Sequence, residues 1–290
     1  MPLVRRWHYD RGWMWPGVRA GKLTRVFRQL SDRALALTFI ALVLAVSLGT
    51  ARVLGGLILA FSPLLVTLLM LLVVTRDGWR RDGWGRLGMG RLGLRDWPLT
   101  LLTTAGVSVL ATAGVVVAGL ARFATPSGAG LGDLLALCVT GPVLAYAEEL
   151  GWRGYLLPRL LWLGEGAALL VGGLVWIAWH LPYILLTPYY HHDGNRAAVL
   201  GLFACSVLAF SVLFGRLRLR SNSLWPAVLG HFAHNAAFAW LGTYAITTTH
   251  PVAVNEYLAG DTGLFVLLGT ALSAVLVPFA RSAVRTLPPA

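Results

Sequence analysis

Charged residues are scarce in this chain, and that scarcity restricts its class. Only 12% of the 290 residues are charged and 57% are hydrophobic, whereas about a quarter of the residues of an average soluble protein are charged. So few charges, clustered as they are, cannot cover the surface of a soluble domain of this size. An ordinary cytosolic enzyme and a disordered chain are therefore excluded, and a polytopic, mostly helical membrane protein is predicted.

Cysteine is scarce as well. The two cysteines, Cys138 and Cys205, both lie inside apolar runs. Two such thiols exclude a disulfide scaffold and are predicted to be small core residues. Neither an internal repeat nor a long linker divides the chain.

Acidic residues are half as frequent as basic ones, and the formal net charge is +12. In a soluble protein this excess would suggest a nucleic-acid partner. Here the basic residues lie mainly between apolar runs, where a membrane protein needs them for its orientation. The expected partner of the positive charge is therefore the lipid bilayer, and no nucleic acid is expected.

The apolar runs predict an all-α fold, a polytopic helical bundle with about eight transmembrane helices. Each run is close to the ~20 residues that a helix needs to cross the hydrocarbon core. The runs lie at 34–50, 53–74, 99–121, 131–157, 167–187, 197–214, 224–245 and 263–280. Between the second and third runs, residues 75–98 predict an amphipathic Arg/Trp loop at the membrane interface.

The distribution of basic residues predicts the orientation of these helices. With the N-terminus in the cytoplasm, 21 of the 24 Lys and Arg residues fall on the inner side. Only Arg52, Arg122 and Arg196 fall outside. Because cytoplasmic segments carry an excess of Lys and Arg, both termini are predicted to be cytoplasmic, in a bacterial plasma membrane.

Ionisable groups inside apolar runs are functional candidates in a membrane protein. Glu148 and Glu149 are such a pair, and Glu149 lies four residues before Arg153, so the two can form an ion pair on one helical face. Glu148 points about 100° away from Glu149 and lacks that partner. This division favours a structural role for Glu149 and a reactive role for Glu148. The alternative is that both acids anchor the helix end at the cytoplasmic surface.

Two further polar groups interrupt apolar runs. His180 follows Trp176 by one helical turn, so the indole can orient the imidazole. His231 and Asn235 also lie one turn apart, and both side chains can donate hydrogen bonds to a developing oxyanion. Hydrogen bonding between helices is the alternative for each of them.

The depths of these residues predict that they line one cavity open to the cytoplasm. At 1.5 Å per residue, Glu148 lies roughly 13 Å, His231 roughly 10 Å and His180 about 20 Å from the inner face. A carboxylate, an imidazole and a His/Asn donor pair can together activate water and bind an oxyanion.

Three motifs in this order, Glu-Glu-x-x-x-Arg (148–153), aromatic-x-x-x-His (176–180) and His-x-x-x-Asn (231–235), resemble the CPBP family. This family comprises the CAAX prenyl proteases of the Ras-converting type and the bacteriocin-processing or Abi proteins. The matching region covers about residues 133–245. One departure exists, because the second motif usually begins with Phe and here begins with Trp176.

The resemblance implies a glutamic-type intramembrane endopeptidase that needs no cofactor. Glu148 and His180 would activate water, and His231 and Asn235 would stabilise the oxyanion. Support would come from Glu149, Arg153 and Trp176. The implied substrate is a membrane-anchored protein or a peptide, either CAAX-like or leader- and bacteriocin-like.

Three alternatives stay open. In a zinc-dependent version of the protease, Glu148, His180 and His231 would supply three ligands and water the fourth. A non-catalytic Abi-type protein would serve as an immunity factor or scaffold. A transporter or proton relay would use the same buried groups.

Four regions are predicted along the chain. They are a basic cytoplasmic or interfacial arm at 1–33, N-terminal transmembrane helices at 34–125, a CPBP-like catalytic core at 126–250, and the last transmembrane helix with a short cytoplasmic tail at 251–290.

Overall fold

The computed structural model describes residues 30–188 and 193–278 as a bundle of apolar helices. The predicted basic arm lies almost wholly outside the described residues, as does the cytoplasmic tail. The eight main helices are α1 (Asp32–Thr50), α2 (Val53–Val74), α3 (Leu94–Val117), α4 (Gly128–Leu163), α5 (Glu165–Leu186), α6 (Arg196–Ser221), α7 (Trp225–Trp240) and α8 (Leu264–Leu276). They correspond one to one with the eight apolar runs, and the all-α class is confirmed.

The lengths of the helices bear on the predicted number of membrane crossings. Among the described residues, α1 to α6 are long and apolar enough to span a membrane. Helices α7 and α8 have 16 and 13 residues, fewer than the ~20 of a straight crossing. A π-helical segment, Leu241–Ala245, extends α7. The predicted count of eight crossings is therefore not confirmed.

Connections predicted on the same side of the membrane contact one another. On the predicted outer side, the strands β1 (Arg122–Phe123) and β2 (Ile246–Thr247) pair in antiparallel fashion, and Arg52 donates to the carbonyl of Leu186 at 2.9 Å. On the predicted inner side, Arg220 pairs with Asp96 at 2.7 Å. These contacts agree with alternating helices, while the cytoplasmic orientation of the termini stays a prediction.

The outward faces of the helices are apolar. Val117, Val139 and Val275 are 89%, 71% and 75% exposed, and such faces suit contact with lipid rather than water. Together with the six long apolar helices, they identify an integral membrane protein. The prediction that Cys138 and Cys205 are core residues is wrong, because both thiols are exposed. A small apolar thiol is also tolerated on a face turned to lipid.

An aromatic cluster packs α1, α4 and α5 together beside the polar residues. Phe39 stacks on Tyr155 at 5.1 Å, and Trp152 meets Trp179 edge to face at 5.5 Å. The Trp179 indole donates to Ser62 of α2 at 2.8 Å. Buried aromatic pairs of this kind stabilise by about 0.5–1.5 kcal/mol beyond their buried area, so the backbone next to Glu149 is held firmly.

The segment 75–98 is anchored more deeply than a surface loop. It forms the short helices Asp77–Trp79 and Arg81–Gly85. Trp79 is 69% exposed, as an interfacial loop predicts, but Leu87 is only 1% exposed and belongs to the core. The loop therefore closes the predicted inner end of the bundle.

Candidate active site

Glu149 and Arg153 form the ion pair that their spacing predicts. An Arg153 Nη1–H donates to Glu149 Oε1 at 2.8 Å, and both side chains are buried. The regular α-helix of α4 ends at Glu149 and continues as a π-helix over Leu150–Leu156, all seven residues of which are buried. Single π-helical turns often occur at functional sites.

His231 completes this pair from α7. Its Nδ1 lies 2.9 Å from the same Glu149 oxygen. Because a carboxylate oxygen only accepts, Nδ1 carries the proton, and Nε2 remains for other chemistry. This contact joins residues 82 positions apart, so the sequence contains no local signal for it. Glu149 therefore orients an imidazole in addition to pairing with Arg153.

The indole of Trp176 contacts one glutamate, the arginine and both imidazoles of the site. Its indole N–H donates to Glu148 Oε2 at 3.1 Å, and the Arg153 guanidinium lies 4.3 Å from its ring centroid. Its ring also meets that of His231 edge to face at 5.6 Å. The sequence predicted an aromatic wall at this position but not the hydrogen bond to Glu148.

His180 is oriented by the backbone of its own helix. Its Nδ1 lies 2.9 Å from the carbonyl oxygen of Trp176. A carbonyl only accepts, so Nδ1 donates and Nε2 carries the free lone pair. The imidazole is enclosed by Trp179 at 4.5 Å and Phe203 at 5.2 Å. The indole that packs closest to it is therefore Trp179, since Trp176 lies 5.9 Å away.

Glu148 is half-buried, unlike its neighbour Glu149. Its Oε2 accepts from Trp176, whereas Oε1 has no hydrogen-bond partner among the described residues. The carboxylate lies within electrostatic range of both His180 and His231. One oxygen is thus fixed by the protein, and the other can contact water.

The next residues along α7 differ from one another in their surroundings. His234 lies 3.0 Å from the Ser108 hydroxyl and 3.1 Å from the backbone carbonyl of Asp261, so it links α7 to α3 and to the segment before α8. Asn235 is exposed. The structure brings together all the predicted site residues except Asn235, for which the described residues provide no contact with the cluster.

Phe214 of α6 is a neighbour that the sequence did not single out. Its ring stacks on His231 at 5.7 Å, and the Arg153 guanidinium lies 5.3 Å from its centroid. Phenylalanine occurs throughout the apolar runs, so nothing in its sequence context distinguishes it. It closes the α6 side of the cluster.

The zinc alternative requires three ligands that converge. Among residues 30–188 and 193–278, no three His, Cys, Asp or Glu side chains are placed to hold a metal ion. The Nδ1 atoms of His180 and His231 are already hydrogen-bonded, so only their Nε2 atoms would be available as ligands.

The bundle of membrane-length helices encloses a group of polar side chains. They are a buried carboxylate–arginine pair, a second carboxylate and two imidazoles. These features define an integral membrane protein with a polar intramembrane site. Residues 128–237 match the family model described as type II CAAX prenyl endopeptidase, Rce1-like. The chain thus contains an Rce1-like domain of the CPBP family, and the resemblance of the three motifs is confirmed.

The matched region runs from the first residue of α4 into α7 and includes all three motifs. It supports a protease of the CAAX type, with a protein or peptide substrate, embedded in a membrane. The predicted core at 126–250 contains it, and the exact boundaries stay a prediction. No curated protein matches the chain in sequence.

Proposed function

We propose that this protein is an intramembrane endopeptidase that hydrolyses a peptide bond with a water molecule activated by Glu148 and His180. The observation that carries the proposal is the convergence of Glu148, His180 and His231, from three different helices, around the indole of Trp176.

Glu148 and His180 have complementary free atoms. Glu148 Oε1 and His180 Nε2 both accept hydrogen bonds, so they can hold the two protons of one water molecule. As the water oxygen attacks the substrate carbonyl, Glu148 takes one proton and passes it to the leaving amine. General acid–base transfer of this kind typically contributes 10²–10⁴-fold in rate.

His231 and Asn235 are proposed to stabilise the tetrahedral oxyanion. For His231 Nε2 to donate, the ring must carry both protons, and the carboxylates of Glu149 and Glu148 together offset the charges of this ring and of Arg153. Asn235 lies one helical turn from His231, and its exposed amide would join the oxyanion site when substrate is bound. One such donor is typically worth 10²–10³-fold in kcat.

The substrate we propose is a membrane-associated protein or peptide, either CAAX-like or leader- and bacteriocin-like. The family description supports the CAAX-like class. The half-buried Glu148 and the loop 75–98 at the same end of the bundle are consistent with entry from the predicted cytoplasmic side.

The proposal is tested with the purified protein in proteoliposomes and a quenched fluorescent peptide that ends in a prenylated CAAX sequence. Glu148→Gln is expected to reduce cleavage by at least about 10²-fold, with an unchanged melting temperature. Asp82→Asn, the same carboxylate-to-amide change on an exposed loop residue, is expected to cleave at the wild-type rate. Full activity in Glu148→Gln would refute the glutamate mechanism.

Two alternatives are separated by added measurements. A zinc protease would lose activity on chelation and regain it with zinc, whereas the glutamate mechanism predicts no loss. A scaffold or immunity protein would keep its cellular function as Glu148→Gln. Crosslinking of that variant in its native membrane would identify the substrate that accumulates on it.

A further inference from the structure

Arg218, near the end of α6, is a buried arginine for which the described residues supply no counter-charge. It is 6% exposed, and its Nε has no hydrogen-bond acceptor among those residues. Across the described part of the chain, no acidic side chain pairs with it or lies near enough to balance its charge. A buried charge without a partner is costly, so its presence calls for an explanation.

The other buried arginines contrast with it. Arg153 pairs with Glu149 at 2.8 Å. Arg159 donates to the Tyr155 carbonyl at 2.9 Å and lies over the Tyr155 ring. Even the exposed Arg220, only two residues beyond Arg218, pairs with Asp96. Among these arginines, Arg218 is the one whose guanidinium has no partner in the described residues, so it is available to a group from outside them.

The position of Arg218 relates it to the candidate active site. It lies one helical turn beyond Phe214 on the same face of α6, roughly 6 Å along the helix axis. Phe214 is the ring that stacks on His231. The two backbone positions are therefore close enough for a substrate chain held near His231 to reach Arg218 within a few extended residues at ~3.4 Å each.

Gly88 of the inner loop covers the guanidinium. Its φ is +81°, and a Cβ at this position would lie 2.5 Å from the Arg218 Cζ. The next residue, Met89, receives hydrogen bonds from Tyr146 of α4 and Trp225 of α7. The inner loop thus packs directly on the guanidinium at Gly88 and, one residue later, contacts the helices that carry Glu148 and His231.

We propose that Arg218 binds the terminal carboxylate of the substrate, and so selects peptides whose cleaved bond lies a few residues from a free C-terminus. This inference rests on the proposed protease function. Arginine presents paired N–H donors that match the two oxygens of a carboxylate. The substrate would supply the counter-charge that the described fold lacks.

A peptide end fits this position better than a lipid phosphate does. Arg218 lies inside the bundle between α6 and the inner loop, whereas arginines that meet lipid headgroups extend to the membrane surface. Several loop arginines are exposed instead, among them Arg80 and Arg81.

The test compares two fluorescent prenylated CAAX peptides, identical except that one ends in a carboxylate and the other in a carboxamide. Their Kd values are measured by anisotropy with the full chain in phosphatidylcholine nanodiscs. Wild-type protein is expected to bind the acid about ten- to a hundredfold more tightly, since a hydrogen bond to a charged group is strong. Arg218→Gln should bind both peptides alike, Arg218→Lys should keep part of the preference, and Arg81→Gln should keep all of it.

Stability distinguishes this binding role from a structural one. Because removal of an unpaired buried charge is neutral or stabilising, the melting temperature of Arg218→Gln is expected to equal or exceed that of wild type. A lower melting temperature together with a retained acid preference would assign Arg218 a purely structural role. If Arg218→Gln does not fold, Arg218→Lys is measured in its place, and an undiminished acid preference together with a lower melting temperature assigns Arg218 the same structural role.

Three other outcomes would also overturn the inference. In the first, the wild-type protein binds the acid and the amide equally, and in the second it binds neither peptide. In the third, the protein shows no preference between the peptides but binds phosphatidylserine discs with an affinity that depends on Arg218.

Cleavage is measured separately. A peptide bound with the Arg218-dependent preference but never cleaved would refute the protease function alone, whereas equal cleavage of acid and amide would refute only the role of Arg218.

Discussion

Trp176 contacts several groups of the site through both its side chain and its backbone. Its N–H holds Glu148, its face receives the Arg153 guanidinium, and its carbonyl holds His180. A phenylalanine, the residue that usually begins this motif in the family, would keep the aromatic wall but could not donate to Glu148. The indole N–H is therefore a feature of this chain that orients the proposed base.

Replacement of Trp176 by Phe tests that role. We expect kcat for the CAAX peptide to fall about tenfold or more, because a hydrogen bond to a charged group is lost. KM should change little, since the ring that shapes the pocket remains. Both constants are obtained from initial rates in proteoliposomes.

Trp240→Phe is the matched control, at the C-terminal end of α7. Its indole N–H donates to the carbonyl of Gly130 rather than to a site carboxylate, so this change should lower the melting temperature and leave kcat nearly unchanged. Equal losses of kcat in the two variants would show that Trp176 acts only through packing.

Among contacts between single residues, the sequence predicts those set by helical spacing and misses those set by packing between helices. The pair of Glu149 and Arg153 follows from helical spacing alone. The bond between His231 and Glu149 depends on how α7 packs against α4, which no local pattern encodes. The missing counter-charge of Arg218 is likewise a property of packing.

Among the elements, α4 carries the acidic motif through an unusual backbone. The sequence predicted that its apolar run ends near residue 157, whereas the helix continues to Leu163 through a π-helical segment. Hydrophobic periodicity does not predict a π-helix, because the added residue per turn is stabilised by tertiary contacts. One such contact is the close approach of Gly151 to Pro63 of α2.

Gly151→Ala tests this approach. The added methyl would lie 2.6 Å from the Pro63 Cβ and 3.0 Å from its carbonyl oxygen, so α2 and α4 must separate. We expect a loss of about 1–3 kcal/mol in the free energy of unfolding. Cleavage should fall too, since Glu149 lies only two residues away. Thermal unfolding in detergent and the rate per folded molecule measure the two effects.

Gly132→Ala, on the same helix, is the control. No atom lies within 4 Å of the added methyl at that position, so alanine should be neutral or slightly stabilising in a helix. A Gly151→Ala protein as stable as Gly132→Ala would show that the two helices can separate without cost.

For the whole molecule, composition and periodicity were sufficient to predict the class and the positions of the eight helices. They were insufficient for the number of crossings, because α7 and α8 are shorter than their apolar runs. The run at 224–245 changes from α-helix to π-helix after Trp240. In the run at 263–280, the backbone becomes extended at Val277, directly after Leu276.

For the whole molecule, the distribution of arginines predicts the orientation in the membrane. Replacement of Cys138 and Cys205 by serine gives a background for single cysteines at Arg81, in the inner loop, and at Thr125, between β1 and α4. Both positions are exposed.

With 21 of 24 basic residues on one side, we expect that side to face the cytoplasm. A membrane-impermeant maleimide should therefore label Thr125→Cys in intact cells and label Arg81→Cys only after permeabilisation. The reverse pattern would invert the topology and place the Glu148 cluster nearer the outer face. Labelling of both sites in intact cells would show that the inner loop does not form one side of the bundle.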